Sequence, residues 1–101
     1  MASRVLLQEK LEQLLGSSNV YYQPPESVKM EYPAIRYSRE FVFTEHASDN
    51  THRAMNRYEV TVIDRKPDNP VIDKLLALPY CSYERTYKSD NLNHDILILY
   101  F

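Results

Sequence analysis

The last residues of the chain do not alternate between apolar and polar side chains. Residues 94–101 read His-Asp-Ile-Leu-Ile-Leu-Tyr-Phe, and every position from Ile96 onward is apolar. Successive side chains of a strand point to opposite faces, so Ile96 and Ile98 would line one face and Leu97 and Leu99 the other. This pattern predicts a central strand of a sheet packed on both sides. A chain of 101 residues has few residues with which to cover both faces of this strand, so a second subunit is one source of the missing cover.

The rest of the pattern predicts two helices and four further strands. In residues 3–15, leucines recur at the spacing of one helical face, Ser3 is a candidate N-cap, and Gly16 stands where a left-handed C-terminal cap belongs. A second helix is predicted from Asn69 and Pro70 to about Leu78. The strands are predicted at residues 19–23, at 34–38 with an extension at 41–43 after an irregular step near Arg39-Glu40, at 57–64 and at 81–88.

The predicted order is α-β-β-β-α-β-β over a single domain of residues 1–101. Strands joined by short turns, with helices inserted between them, are typical of an α+β domain. We therefore expect two helices and a mostly antiparallel sheet of about four to five strands.

Residues 44–57 show no apolar period, and fourteen residues are long for a hairpin connection. Long structureless loops in compact domains are often functional or disordered. We expect a mobile loop here that contacts a partner, together with apolar positions of the last strand. The candidate interaction residues are Glu45, His46, Asp49, Asn50, His52, Arg53, Arg57, Leu97, Leu99 and Phe101.

The charge and cysteine content of the chain restrict the classes of function that it can have. Twelve Lys and Arg oppose fourteen Asp and Glu without a basic stripe, so electrostatic capture of nucleic acid is not indicated. Tyr83 and Tyr87 alternate in step with Arg85, but Glu84, Asp90 and Asp95 neutralise that neighbourhood. The single Cys81 forms no intrachain disulfide, and no apolar run approaches membrane-spanning length. We expect a protein that is made in the cytoplasm and does not enter a membrane.

One motif has metal-binding chemistry, namely His46-x-x-Asp49-x-x-His52. Zinc sites need four ligands, or three in a shaped cavity, and this segment reads as a loop without a further ligand nearby. No nucleophile motif is present, and a chain with one glycine has no phosphate-binding glycine loop. The sequence thus predicts no catalytic residues, no cofactor and no metal site.

Several stretches together resemble a known group of proteins. They are Leu11–Gly16 followed by Val20-Tyr21-Tyr22-Gln23-Pro24-Pro25, Met30–Tyr37, Tyr58–Asp64 with Pro67-Asp68, and Asp90–Asp95. In this order they resemble the small tail-terminator or tail-completion proteins of long-tailed bacteriophages. The Gln-Pro-Pro and Asp-Asn-Leu-Asn stretches are the most specific part of the resemblance.

The resemblance implies a structural virion protein without an active site. Such a subunit forms a hexameric ring that caps the tail tube, stops its polymerisation and joins it to the head connector. Its partners would be further copies of itself, the tail-tube protein and the head-completion protein, and DNA would pass through the lumen without sequence-specific binding. Three alternatives stay open: a head-completion stopper or adaptor of the neck, a small metal-dependent enzyme using His46, Asp49 and His52, and a dimeric interaction module.

Overall fold

The computed structural model describes the backbone of residues 4–47 and 50–101, and the side chains of residues 4–40 and 56–101. Ser3, the predicted N-cap, lies outside the described residues. The elements are α1 (Arg4–Leu15), β1 (Val20–Tyr22), β2 (Ala34–Ala47), β3 (Asn50–Asp64), α2 (Val71–Leu76), β4 (Cys81–Ser89) and β5 (Leu92–Tyr100). The α+β class and the order α-β-β-β-α-β-β agree with the prediction.

All five strands belong to one sheet with the order β1-β2-β3-β5-β4. Only β1 and β2 are parallel, and the other neighbouring pairs are antiparallel. The last strand, β5, lies between β3 and β4, with Leu97 opposite Val60 on one side and opposite Tyr83 on the other. The central position predicted from its unbroken apolar run is confirmed.

Both helices pack on the same face of this sheet. Leu7 and Leu11 of α1 and Val71 and Leu75 of α2 are buried in a single apolar cluster. The cluster also contains one face of the central strands, contributed by Ile35, Tyr37, Tyr58, Val60, Val62, Leu97 and Leu99. Burial of this apolar area supplies most of the favourable free energy of folding.

The opposite face of β5 is buried without a helix. Ile96 and Ile98 are 3% and 8% exposed, yet neither belongs to the cluster beneath the helices. Ile96 lies opposite Thr61 on β3 and opposite Arg85 on β4, so neighbouring strands flank it on both sides. The chain therefore buries both faces of β5 by itself, so a second subunit is not needed to cover this strand.

The helix ends follow from local chemistry. Gly16 has φ +84° and donates its N–H to the Glu12 carbonyl at 2.9 Å, which confirms the predicted cap of α1. Before α2, the Asn69 side chain accepts the Val71 N–H at 2.9 Å. That helix ends at Leu76 rather than at the predicted Leu78. The described helices include none that is long and apolar enough to cross a bilayer.

The segment predicted as a loop is instead strand. Residues 44–47 continue β2 and residues 50–57 belong to β3, with Glu45 opposite Arg53 and Ala47 opposite Asn50. The irregular step predicted near Arg39-Glu40 appears as a register shift between Arg39 and Phe41. The loop prediction failed because these strands are joined by backbone hydrogen bonds, which require no apolar period in the sequence.

The paired strands reach beyond the rest of the sheet. β1 pairs with β2 only as far as Tyr37, and β5 pairs with β3 only as far as Arg57. Residues 43–47 and 50–55 therefore pair, in the described backbone, only with each other; together with Phe41 and Val42 at their base, we call them the hairpin arm.

Candidate functional site

The base of the hairpin arm is held to the domain body by backbone and side-chain contacts. The Asn56 N–H donates to the Phe101 carbonyl at 3.0 Å, and the Phe101 N–H donates to the Asn56 carbonyl at 3.0 Å. The Arg57 Nε lies 3.5 Å from Glu40 Oε1, and its guanidinium lies 6.0 Å from the centre of the Tyr100 ring. These contacts fix the direction in which the arm leaves the sheet.

The structure places half of the predicted interaction residues in the arm. Glu45, His46, Asn50, His52 and Arg53 belong to its two strands, with His46 opposite Thr51 in the backbone register. Asp49 lies outside the described residues. Within the described part of the chain, no group of three His, Cys, Asp or Glu residues is placed to hold a metal ion.

The other predicted interaction residues divide into two groups. Arg57 and Phe101 are partly exposed at the base of the arm. Leu97 and Leu99 are 0% and 1% exposed inside the core of this same chain, so their side chains offer almost no surface to a partner. Their assignment to an interface is wrong, because the unbroken apolar run reflects a central strand of the chain's own sheet.

A side-chain network fixes α1 against the strand from which the arm extends. The Tyr37 hydroxyl donates to Gln8 Oε1, and Gln8 Nε2 donates to the Val20 carbonyl at 3.0 Å. The Arg4 guanidinium lies 4.4 Å from the centre of the Tyr22 ring. Burial raises the pKa of Tyr37 above its ordinary value, so its hydroxyl keeps its proton for this network.

The helix-free face of the sheet carries polar and aromatic side chains. A register shift between Tyr83 and Arg85 places Tyr83 on the helix-bearing side, opposite Leu97, and Arg85 on the other side, opposite Ile96. The expectation that Tyr83 shares a face with Arg85 and Tyr87 is therefore wrong. The Tyr87 ring stacks on His94 with ring centres 4.6 Å apart, and the Arg85 guanidinium lies 5.7 Å from the Tyr87 ring centre.

Tyr83 instead pairs with an acidic group on its own side of the sheet. Its hydroxyl donates to Asp95 Oδ1 at 2.7 Å, and this hydrogen bond raises the pKa of Tyr83. Asp95 lies opposite Thr86, so its carboxylate belongs to the helix-bearing side and not to the face of Arg85. Asp95 and Arg85 therefore lie on opposite faces of the sheet, so the Asp95 carboxylate does not neutralise Arg85 as the sequence suggested.

A polar groove of about 420 Å³ opens beside the end of β1. Its lining residues are Gln23, Pro24, Arg36, Tyr37, Ser38, Arg39, Glu59 and Thr61. Gln23 has φ +42°, and its side-chain Oε1 accepts the Arg39 N–H at 3.2 Å. Sequence reasoning missed this groove, because it depends on where β1 stops beside the longer β2.

A smaller apolar pocket of about 240 Å³ lies near the base of the arm. It is lined by Leu78, Pro79, Tyr80, Leu99, Tyr100 and Phe101. Tyr80 is 60% exposed, which is unusual for a side chain with so large an apolar surface. Cys81 is half-buried beside the core, and burial raises the pKa of its thiol, so it is a poor nucleophile at neutral pH.

The fold and these surfaces describe a small α+β domain with a projecting β-hairpin, an open polar groove and an exposed apolar pocket. No protein-family model matches the chain, and no curated protein matches its sequence.

Proposed function

We propose that this chain is a structural virion protein, a tail terminator whose copies form a ring on the end of a phage tail tube. The ring stops polymerisation of the tube and joins it to the head connector. One observation carries the proposal: a small α+β domain, in the element order of the sequence that resembles these proteins, extends a hairpin arm past its own sheet. The sequence resemblance supplies the identity of the partners.

The arm is suited to contacts between subunits. A two-stranded ribbon is only marginally stable in water, because its backbone edges and both faces remain solvated. Packing against a neighbouring subunit or the tube rim adds a covering surface and stabilises the ribbon.

Ring formation requires two different surfaces on each copy, because a head-to-tail contact that closes produces cyclic symmetry. The hairpin arm is one such surface. The exposed Tyr80 and the apolar pocket beside Phe101 form a second, located at the base of the arm. Each copy thus carries one projecting and one receiving surface.

Electron microscopy of phage particles lacking this gene tests the proposal directly. We expect tails that are overlong or variable in length and detached from filled heads. Complementation should be attempted with the wild-type chain, with an arm-shortened variant in which Asn-Gly replaces residues 46–52, and with Lys74→Gln as a matched surface control on α2. The wild type and Lys74→Gln should restore tails of normal length, and the arm-shortened variant should not.

The same images separate the alternatives. Normal-length tails beside leaking or emptied heads would assign the protein to the neck as a head-completion stopper. Normal particles in the absence of the gene would overturn both virion roles. Full complementation by the arm-shortened variant would retain the protein in the virion but remove the hairpin arm from its mechanism.

A further inference from the structure

One edge of the sheet is open along most of a long strand. β1 ends at Tyr22, where Gln23 has φ +42° and Pro24-Pro25 follow, whereas β2 continues from Ser38 to Ala47. Beyond Tyr37, the described backbone places no strand on that side of β2. Backbone N–H and C=O groups along such an edge are available to pair with another extended chain.

A side chain takes the place of the missing strand at the first open position. The Gln23 N–H donates to the Tyr37 carbonyl at 2.9 Å, which is the last backbone hydrogen bond of this pairing. The next outward-pointing group, the Arg39 N–H, is bonded by the Gln23 side chain at 3.2 Å. Gln23 is exposed, so a peptide carbonyl could replace its amide oxygen there with little net change in hydrogen bonding.

The groove beside this edge favours an acidic occupant. Arg36 and Arg39 line it, and neither guanidinium forms an ion pair with any side chain that the structure describes. Ser38 and Thr61 add hydroxyl groups, and Glu59 is the one carboxylate in the lining. Guanidinium groups bind carboxylates with two parallel hydrogen bonds, and this gives both affinity and orientation.

We propose that this groove binds an extended acidic peptide segment of a partner protein, which adds a strand to the open edge of β2 and places carboxylates against Arg36 and Arg39. Strand addition of this kind takes its affinity from main-chain hydrogen bonds and its specificity from side-chain pockets. The proposal concerns the groove alone and does not depend on the role in the virion.

The second long edge of the sheet is less suited to strand addition. β4 is interrupted by a register shift between Tyr83 and Arg85 and carries Glu84, Arg85 and Lys88. Bulges and charged side chains are the features that protect edge strands from pairing with other chains. The edge of β2 has a register shift of its own, between Arg39 and Phe41, but it also carries a replaceable side-chain cap and two arginines that form no ion pair with a described side chain.

The test is selection from a displayed library of random ten-residue peptides on the full chain, followed by fluorescence anisotropy with synthetic copies of the enriched peptides. We expect enrichment of Asp and Glu, and at least tenfold weaker binding to Arg36→Glu and to Arg39→Glu. Lys74→Glu, an exposed charge reversal on α2, is the matched control and should bind as the wild type does. Circular dichroism of each variant verifies that it is folded.

Strand pairing is tested separately from charge attraction. Two analogues of an enriched peptide, N-methylated at odd or at even positions, present opposite hydrogen-bonding edges without a change of charge. We expect one analogue to lose binding and the other to retain it, and equal binding of the two overturns strand addition. A library without acidic enrichment, or enriched peptides that bind Arg36→Glu as tightly as the wild type, overturns the proposal altogether.

Discussion

At the residue scale, one extra position in β4 decides which side chains share a face. Cys81, Tyr83, Arg85 and Tyr87 alternate without interruption in the sequence, which predicts a single face for all four. The register shift after Tyr83 reverses the side of every later residue, so Arg85 and Tyr87 face away from the helices. A bulge leaves no mark in a period-two pattern, and the distribution of charge between the faces could not be predicted for that reason.

Leu97 gives the sharpest test of the core. Leu97→Ala should lower the free energy of unfolding by about 2–5 kcal/mol, the range for buried leucines, because it leaves a cavity beneath the helices. Leu97→Asp should cost more, since it also buries an unpaired charge. Urea denaturation measures both changes. Leu76→Gln, at a residue 39% exposed on α2, is the control and should stay within about 0.5 kcal/mol of the wild type.

The buried Tyr37 hydroxyl makes the stability of the folded chain depend on pH in the alkaline range. Burial raises its pKa in the folded chain above the ordinary value of 10.0, so the folded state favours the neutral phenol. Its contribution to stability is complete below pH 10 and is lost as the pH rises through the folded pKa. Between pH 9 and about pH 11.5, wild-type stability should therefore fall more steeply than that of Tyr37→Phe. Urea denaturation of both proteins at each pH measures the free energy of unfolding. An equal dependence of that free energy on pH in the two proteins would refute the prediction.

At the element scale, the sequence predicted the elements that bury an apolar face in the core and missed the hairpin arm. Leucine spacing located α1, and the unbroken apolar run located β5 at the centre of the sheet. The hairpin arm contains Thr44, His46, Thr51 and Arg53, and its strands are held by backbone pairing between β2 and β3. Backbone pairing of this kind leaves no periodic signal in the sequence, so the segment was described as a loop.

Shortening the arm should separate assembly from folding. Replacing residues 46–52 by Asn-Gly, a sequence suited to a two-residue hairpin turn, joins the paired residues Glu45 and Arg53 and removes strand that pairs with no other element in the described backbone. We expect the free energy of unfolding to change by less than about 1 kcal/mol, because no part of the cluster beneath the helices is removed. Thermal denaturation measures this, and an unfolded variant would show that the arm supports the core.

At the scale of the whole molecule, the arm makes the chain elongated. The principal extents are 50 × 26 × 22 Å and the Cα radius of gyration is 14.4 Å, against about 13 Å for a compact domain of this length. Seven paired residues of β2 in the arm span about 24 Å at the usual rise per residue. The projecting ribbon accounts for the difference in shape.

Native mass spectrometry relates this shape to the proposed ring. From the sequence resemblance we expect a complex with six times the 12.0 kDa mass of one chain, and we expect the arm-shortened variant to remain monomeric. Lys74→Gln should assemble as the wild type does. A stable dimer that persists in the arm-shortened variant would instead support a dimeric interaction module with an interface elsewhere.

The position of β5 has a consequence for synthesis on the ribosome. Every other element precedes β5 in the chain, yet β5 separates β3 from β4 and contributes Leu97 and Leu99 to the core. A nascent chain that has emerged only as far as β4 contains the β2–β3 hairpin and both helices. It lacks β5, the strand that joins β3 to β4. The core therefore closes only once β5 has emerged and can pair with both β3 and β4.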